Sequence, residues 1–252
     1  MFVAISQSGN TADTFEALMK AKAKGATTLA ITNNATSKIH TNADYKILAD
    51  AGVENSIAAT KSFTAQLLIL FIFAIKLAEK TQNVDLTELK RDFCALADKY
   101  DDVYAQRSVI QEIATKLKDA KSLAVLGKNI NSALAMEGSL KIKETCYINA
   151  MNSPSGEFMH GHFAVLDNTI PVVAMLNKSE DEENYKLALH NLCEIKSKRN
   201  VNVILIKNSD DSTSAKEIGT DLTIDVPNVK SIFTPFPNRD IKSRKILFEK
   251  AQ

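Results

Sequence analysis

The chain has 252 residues, 45% hydrophobic and 24% charged, and 31 Lys and Arg against 30 Asp and Glu leave a formal net charge of +1. That length suffices for one large domain or two ordinary ones with a substantial core, and the interleaved charges exclude the basic footprint of a nucleic-acid binder. Eight glycines and five prolines, where glycine alone is usually about 7% of residues, exclude collagen-like, linker-rich and many-turned all-β architectures.

In chain order, Phe2–Ser6 (FVAIS) reads as a buried strand, followed by a helix from about Thr11 to Lys24 that stops at Gly25. Thr27–Thr32 (TTLAIT) and Tyr45–Ala49 (YKILA) read as further strands, and a long helix runs from about Ala59 to Lys80. Its most apolar run, Leu67 to Ile75, spans nine residues, short of the roughly 20 a membrane span needs, so a buried helix is expected and no membrane. Two charged helical patterns follow, about Asp85–Tyr100 and Tyr104–Lys118. The alternation then restarts with strand Ser122–Gly127, helix Ser132–Tyr147, strand Pro171–Leu176, helix Asp181–Lys198, and strands Val201–Ile206 and Leu222–Val226.

Continuous Val/Ile/Leu strands separated by helices predict an α/β fold of doubly wound parallel sheets covered on both faces. Two such sets predict a first domain over 1–80, a helical connection over 81–120, a second domain over 121–232 and a tail over 233–252. Cys94, Cys146 and Cys193 are scattered, without CxxC spacing, which reads as a reducing, cytoplasmic setting. The N-terminus has no basic start or long apolar run of a signal peptide.

Three motifs carry chemistry. SQSGNTADT, Ser6 to Thr14, joins a strand to a helix. Ser6, Ser8 and Thr11 supply hydroxyls, Gln7 an amide and Gly9 close backbone approach, while the helix start adds partial positive charge. These make a lysine-free phosphate cradle; the plainer alternative is a turn with a Ser or Thr cap. On the helix 132–147, Glu137, Lys141 and Glu144 fall at i, i+4 and i+7 and share a face. They form either a solvated salt-bridge stripe or a carboxylate held beside an ammonium as a proton-transferring base, and Ala133, Ala135 and Gly138 suit that helix to close packing. GEFMHGH places His160 and His162 at i, i+2 of an extended segment, with no third ligand at a recognised spacing, so no metal and no other cofactor is expected.

These motifs resemble the sugar isomerase (SIS) family. SQSGNTADT is similar to its phosphate loop. AGVENSIAATKSFTAQL (51–67), ALAMEGSLKIKET (133–145) and SGEFMHGHFAVLD (155–167) resemble, in order and approximate spacing, the isomerase part of glutamine–fructose-6-phosphate amidotransferases. The resemblance implies a hexose 6-phosphate ligand bound by Ser6, Gln7, Ser8 and Thr11, with Ile57 and Ala59 at the sugar. It implies Glu144 as the base shuttling a proton between C1 and C2, with Glu137 and Lys141 supporting it. It also implies His160 as the ring-opening acid–base reaching in from the other subunit of a homodimer. His162 stands where the family usually has proline, Met159 where it often has lysine, and Ala59 replaces a hydroxyl residue.

The expected activity is ketose–aldose isomerisation of the fructose 6-phosphate type, with a non-catalytic sugar-phosphate sensor or an amino-sugar-phosphate deaminase or deglycase as alternatives. The family's first strand with its Gly-Thr-Ser loop, an N-terminal nucleophilic cysteine and a family-like tail lysine have no counterpart here; Lys245 and Lys250 stand in unmatched context. The chain therefore reads as a relative truncated at both ends, its first domain lacking the initial strand and helix.

Overall fold

The computed structural model describes residues 1–55, 58–82, 84–178 and 182–234. The chain divides into two compact units, Met1–Asp92 and Phe93–Gln252.

In the first unit β1 (Phe2–Ser6), β2 (Thr28–Thr32) and β3 (Tyr45–Leu48) form a parallel sheet in the order β1-β2-β3. Every residue of β2 is buried. Helix α1 (Ala12–Ala23) lays Leu18 on Ala4 and Ala30, joined by Ile39 from the short helix α2 (Lys38–Asn42). Asp44 fastens the start of β2 to the approach to β3: its Oδ2 accepts from Thr28 N at 2.9 Å and Thr28 Oγ1 at 2.7 Å, and its Oδ1 lies 2.8 Å from Lys22 Nζ. The unit continues into α3 (Lys61–Gln82) and the start of α4 (Thr87–Ala95).

Helix α3 differs from the expectation of a short buried apolar run. No charged residue stands between Lys61 and Lys76, so the low-charge stretch extends well beyond Leu67–Ile75. Its best 18-residue window has a mean hydropathy of 1.7 and is 33% buried, so by length and composition alone the helix is long and apolar enough to cross a membrane. The core helices of globular proteins meet the same criterion; here Ser62, Thr64, Ala65, Leu68 and Ile75 are the buried residues.

The second unit takes in a 3₁₀ turn (Leu96–Lys99), α5 (Tyr100–Tyr104) and α6 (Arg107–Leu117) before its sheet. The sheet comprises β4 (Ser122–Gly127), β5 (Asn149–Pro154), β6 (Val172–Leu176), β7 (Val203–Asn208) and β8 (Thr223–Val226), all parallel, in the order β5-β4-β6-β7-β8. The order reverses at β4, which pairs with β5 on one side and β6 on the other. Alternation along β4 divides the core: Leu123 and Val125 pack with Ala135 of α7 (Ile130–Cys146) and Ala150. Ala124 and Leu126 pack on the other face with Phe158, from α8 (Ser155–Phe158), and with Leu189 and Leu192 of α9 (Glu182–Arg199). Helices on both faces of a parallel sheet are the doubly wound arrangement expected.

Strand β5 was absent from the expected set because NAMNSP carries no β-branched run; it is an edge strand that borrows its register from β4. The five-residue helix α10 (Ser214–Ile218) was likewise unexpected. At the opposite edge no strand follows β8 among the described residues. There the side chain of Gln106 donates to Asp225 O and accepts from Asp225 N at 2.7 Å, standing in for a neighbouring peptide group.

Candidate functional site

The first cluster lies at the carboxyl end of β1. Ser6 is 8% exposed and ends the strand. Its Oγ accepts from Gly9 N at 3.1 Å and lies 3.1 Å from Thr11 Oγ1. Thr11 occupies the position before α1 in an extended conformation but makes no side-chain bond to the helix. The plainer reading of this segment as a capped turn therefore does not hold for Thr11, and the first-turn N–H groups of α1 keep their polarity for another partner. Ser8 Oγ accepts from Asn10 N at 3.2 Å. Gln7, half-buried, contributes its carbonyl to Asn33 N at 3.0 Å, and Gly9 O accepts from Ile39 N at 2.9 Å. These bonds sew the loop after β1 to the loop after β2, bringing Ser6, Gln7, Ser8 and Thr11 together at one sheet end. Gly9 has φ +67°, and a Cβ there would lie 1.9 Å from Ser37 Oγ, so the loop excludes any side chain at this position.

Of the residues expected beside the sugar, Ile57 lies outside the described residues, and Ala59 is half-buried just before α3. The segment is organised by a residue that sequence reasoning passed over. Glu54 Oε2 accepts from Ser62 N at 3.1 Å and Ser62 Oγ at 2.6 Å, and Oε1 from Thr60 N at 3.4 Å. Burial alone would raise the Glu54 carboxyl, but these bonds outweigh it and hold it below its ordinary value. Lys61 Nζ donates to Val53 O at 2.7 Å, so that lysine ties the loop.

The second cluster is on α7. Lys141 Nζ lies 2.7 Å from Glu144 Oε2 and 3.4 Å from Glu137 Oε1, with all three side chains 22–27% exposed. This is a half-buried triplet rather than a solvated stripe. Burial works to lower the Lys141 ammonium, but the hydrogen bond to Glu144 and the charges of both carboxylates raise it on balance. Close packing of this helix is carried by Ala135 and Ser139, both 0% exposed. Two residues expected to provide it do not: Ala133 is exposed, and a Cβ on Gly138 would meet only Met175 at 3.9 Å. Ser139 Oγ accepts from Asn152 Nδ2 at 2.7 Å, fixing the helix to β5.

The histidine segment is not extended. Ser155–Phe158 is a helical turn, His160 N donates to Glu157 O at 3.0 Å, and a 3₁₀ turn begins at His162. His160, in the intervening turn, and His162 are both exposed, and the His162 ring stacks on buried Phe158 at 5.6 Å between centroids and 19°. The backbone coils through this segment where an i, i+2 pattern presumes a strand. Among the described residues no group of three His, Cys, Asp or Glu is placed to hold a metal ion.

The sequence profile of the SIS domain matches residues 1–76 and 116–236. The glutamine–fructose-6-phosphate aminotransferase [isomerizing] of Chlorobaculum tepidum is 38% identical over 200 residues, covering 78% of this chain and 32% of that protein. The same-named protein of Aquifex aeolicus is 32% identical over 234 residues, covering 93% of this chain and 38% of its own. The chain thus spans about a third of the length of these curated relatives. Among solved structures, the C-terminal domain of glucosamine-fructose-6-phosphate aminotransferase from Francisella tularensis superposes with a TM-score of 0.81 at 29% identity, covering 99% of this chain and 71% of that one. A glucosamine-6-phosphate deaminase from Thermotoga maritima shares the fold at a TM-score of 0.65 and 19% identity.

Proposed function

This chain belongs to the SIS domain family, and we propose that it binds a hexose 6-phosphate and interconverts its ketose and aldose forms. The observation that carries the reading is the loop Ser6–Thr11, whose Thr11 hydroxyl turns to Ser6 at 3.1 Å and leaves the start of α1 uncapped. Uncapped N–H groups, neutral hydroxyls and a glycine that admits no side chain suit a phosphate dianion. Ser6, Gln7, Ser8 and Thr11 would hold the phosphate, with Ile57 and Ala59 beside the sugar.

Isomerisation moves one proton between adjacent carbons and needs a base within reach and a cation near the developing enediolate. Glu144 would move the proton, with Lys141 holding it oriented and supplying positive charge and Glu137 helping to hold the Lys141 ammonium in place. His160, exposed on its turn, would open the sugar ring from the other subunit of a homodimer. The reading includes two SIS units over 1–80 and 121–232 joined through 81–120, a tail over 233–252, and a soluble, cytoplasmic protein. It concerns the isomerase portion of the aminotransferases named above.

Calorimetric titration with fructose 6-phosphate and glucosamine 6-phosphate, followed by an isomerisation assay, tests it. Micromolar to millimolar binding with turnover is expected. Binding without turnover would reduce the function to a sensor, and no binding of either compound would end the sugar-phosphate assignment.

A further inference from the structure

Helix α7 presents Glu137, Lys141 and Glu144 on one side, and the contact that holds this orientation lies on the other. At about 100° per residue, each of the three stands roughly 140–160° round the helix from Ser139. The residues that α7 seats on the sheet there are small: Ala135 and Ser139, both 0% exposed. Apolar contact is non-directional, and such small groups offer little ridge to stop a helix rolling or sliding on its sheet. A roll of about 10° moves a side chain at the helix perimeter, about 5–6 Å from the axis, by about 1 Å. A misplacement of that size costs up to about 100-fold in rate.

One directional contact resists the movement. Ser139 Oγ donates to Met136 O at 2.9 Å, which fixes its hydroxyl proton and leaves the oxygen to accept from Asn152 Nδ2 at 2.7 Å. Asn152 stands on β5 opposite Val125 of β4. By alternation it shares a strand face with Ala150, which packs with Ala135 of α7. Among the described residues this is the only side-chain hydrogen bond between α7 and the sheet. Hydrogen bonds weaken steeply with angle and distance, so this one constrains both the roll of α7 and its height along β5.

We propose that Ser139 and Asn152 are positioning residues for isomerisation: their bond fixes the roll of α7 that aims Glu144, with Lys141 beside it, at the reacting carbons. The inference rests on the proposed role of Glu144 and adds to it two residues that act only through the helix.

The test is steady-state kinetics of the full chain with fructose 6-phosphate, well below the melting temperature, for Ser139→Ala, Asn152→Ala and the double variant. Each single variant is expected to lower kcat about tenfold or more while KM moves less than about threefold, because the base is misaimed and the phosphate is held elsewhere. The double variant should be no slower than the slower single one, since all three remove the same bond. It leaves neither partner unpaired, so it preserves the measurement if a single variant folds poorly. Ile195→Val trims a fully buried residue of α9; it lowers stability without touching the pair and should keep the parent kcat. Four outcomes would overturn the positioning role alone: parent-like kcat in all three variants, a loss carried by KM, full multiplication of the two single effects, or an equal fall in kcat for Ile195→Val. A parent chain that does not turn over fructose 6-phosphate would instead end the isomerase reading, and this role with it.

Discussion

Ser37 fills the space that a side chain at Gly9 would need: a Cβ on the glycine would fall 1.9 Å from the serine Oγ and 2.5 Å from its Cβ. Ser37 is itself 2% exposed and starts α2, its side chain accepting from His40 N, so it has nowhere to retreat. Gly9→Ala combines this collision with a left-handed φ that costs a non-glycine residue about 1–2 kcal/mol. We expect a loss of at least about 2 kcal/mol in urea denaturation. Affinity for a hexose 6-phosphate should drop tenfold or more in titration, because the loop that would hold the phosphate must move.

Glu144→Gln keeps the shape of the α7 triplet and removes the proposed base. Turnover is expected to fall by roughly 10²–10⁴-fold, the usual contribution of a positioned proton-transfer group. Hexose-phosphate affinity should stay within a few-fold, since the proposed role sets Glu144 at the carbon chain and not at the phosphate. Equal losses in kcat and affinity would instead make Glu144 a binding residue.

Asp44 gives the first unit an acid-sensitive fastening. Hydrogen bonds from Lys22 and Thr28 hold its carboxyl at about 2 against an ordinary 3.8. A depressed carboxyl contributes stability that is fully present above the unfolded value and is lost as pH falls through the folded one. Acid titration followed by circular dichroism should show the parent chain losing its advantage over Asp44→Asn between about pH 4 and pH 2, with little difference below that. A constant difference across the window would contradict the assignment.

Glu54→Ala should loosen the loop before α3 and the first turn of that helix, since Glu54 receives both the N–H and the hydroxyl of Ser62. The cost expected in urea denaturation is about 1 kcal/mol, the scale of a lost N-terminal cap. Glu54→Gln, which retains an acceptor, should recover part of it.

The parallel strands of Val, Ile and Leu, the long helices and the two-sheet plan were legible because burial on both faces leaves an unbroken apolar run. Strand β5 was not, since an edge strand such as NAMNSP is specified by its neighbour rather than by its own residues. The Glu137–Lys141–Glu144 alignment followed from helical spacing, but that the triplet is half-buried depends on how α7 seats Ala135 and Ser139 on the sheet. At His160 and His162 an i, i+2 spacing points to an extended segment, but the chain coils instead. Glu54 carried no signal of its own: its partner Ser62 lies eight residues away, and only folding brings the two together. The membrane-length character of α3 was understated by counting only its most apolar core.

The amide of Gln106 exchanges two hydrogen bonds with Asp225 at the outer margin of β8. A side chain can offer a strand only one peptide's worth of pairing, so what it supplies is closure. An incoming chain seeking to extend the sheet at this point would first have to evict the glutamine, and would gain two hydrogen bonds only by breaking two. Polymerisation through that border is thereby deprived of its driving force.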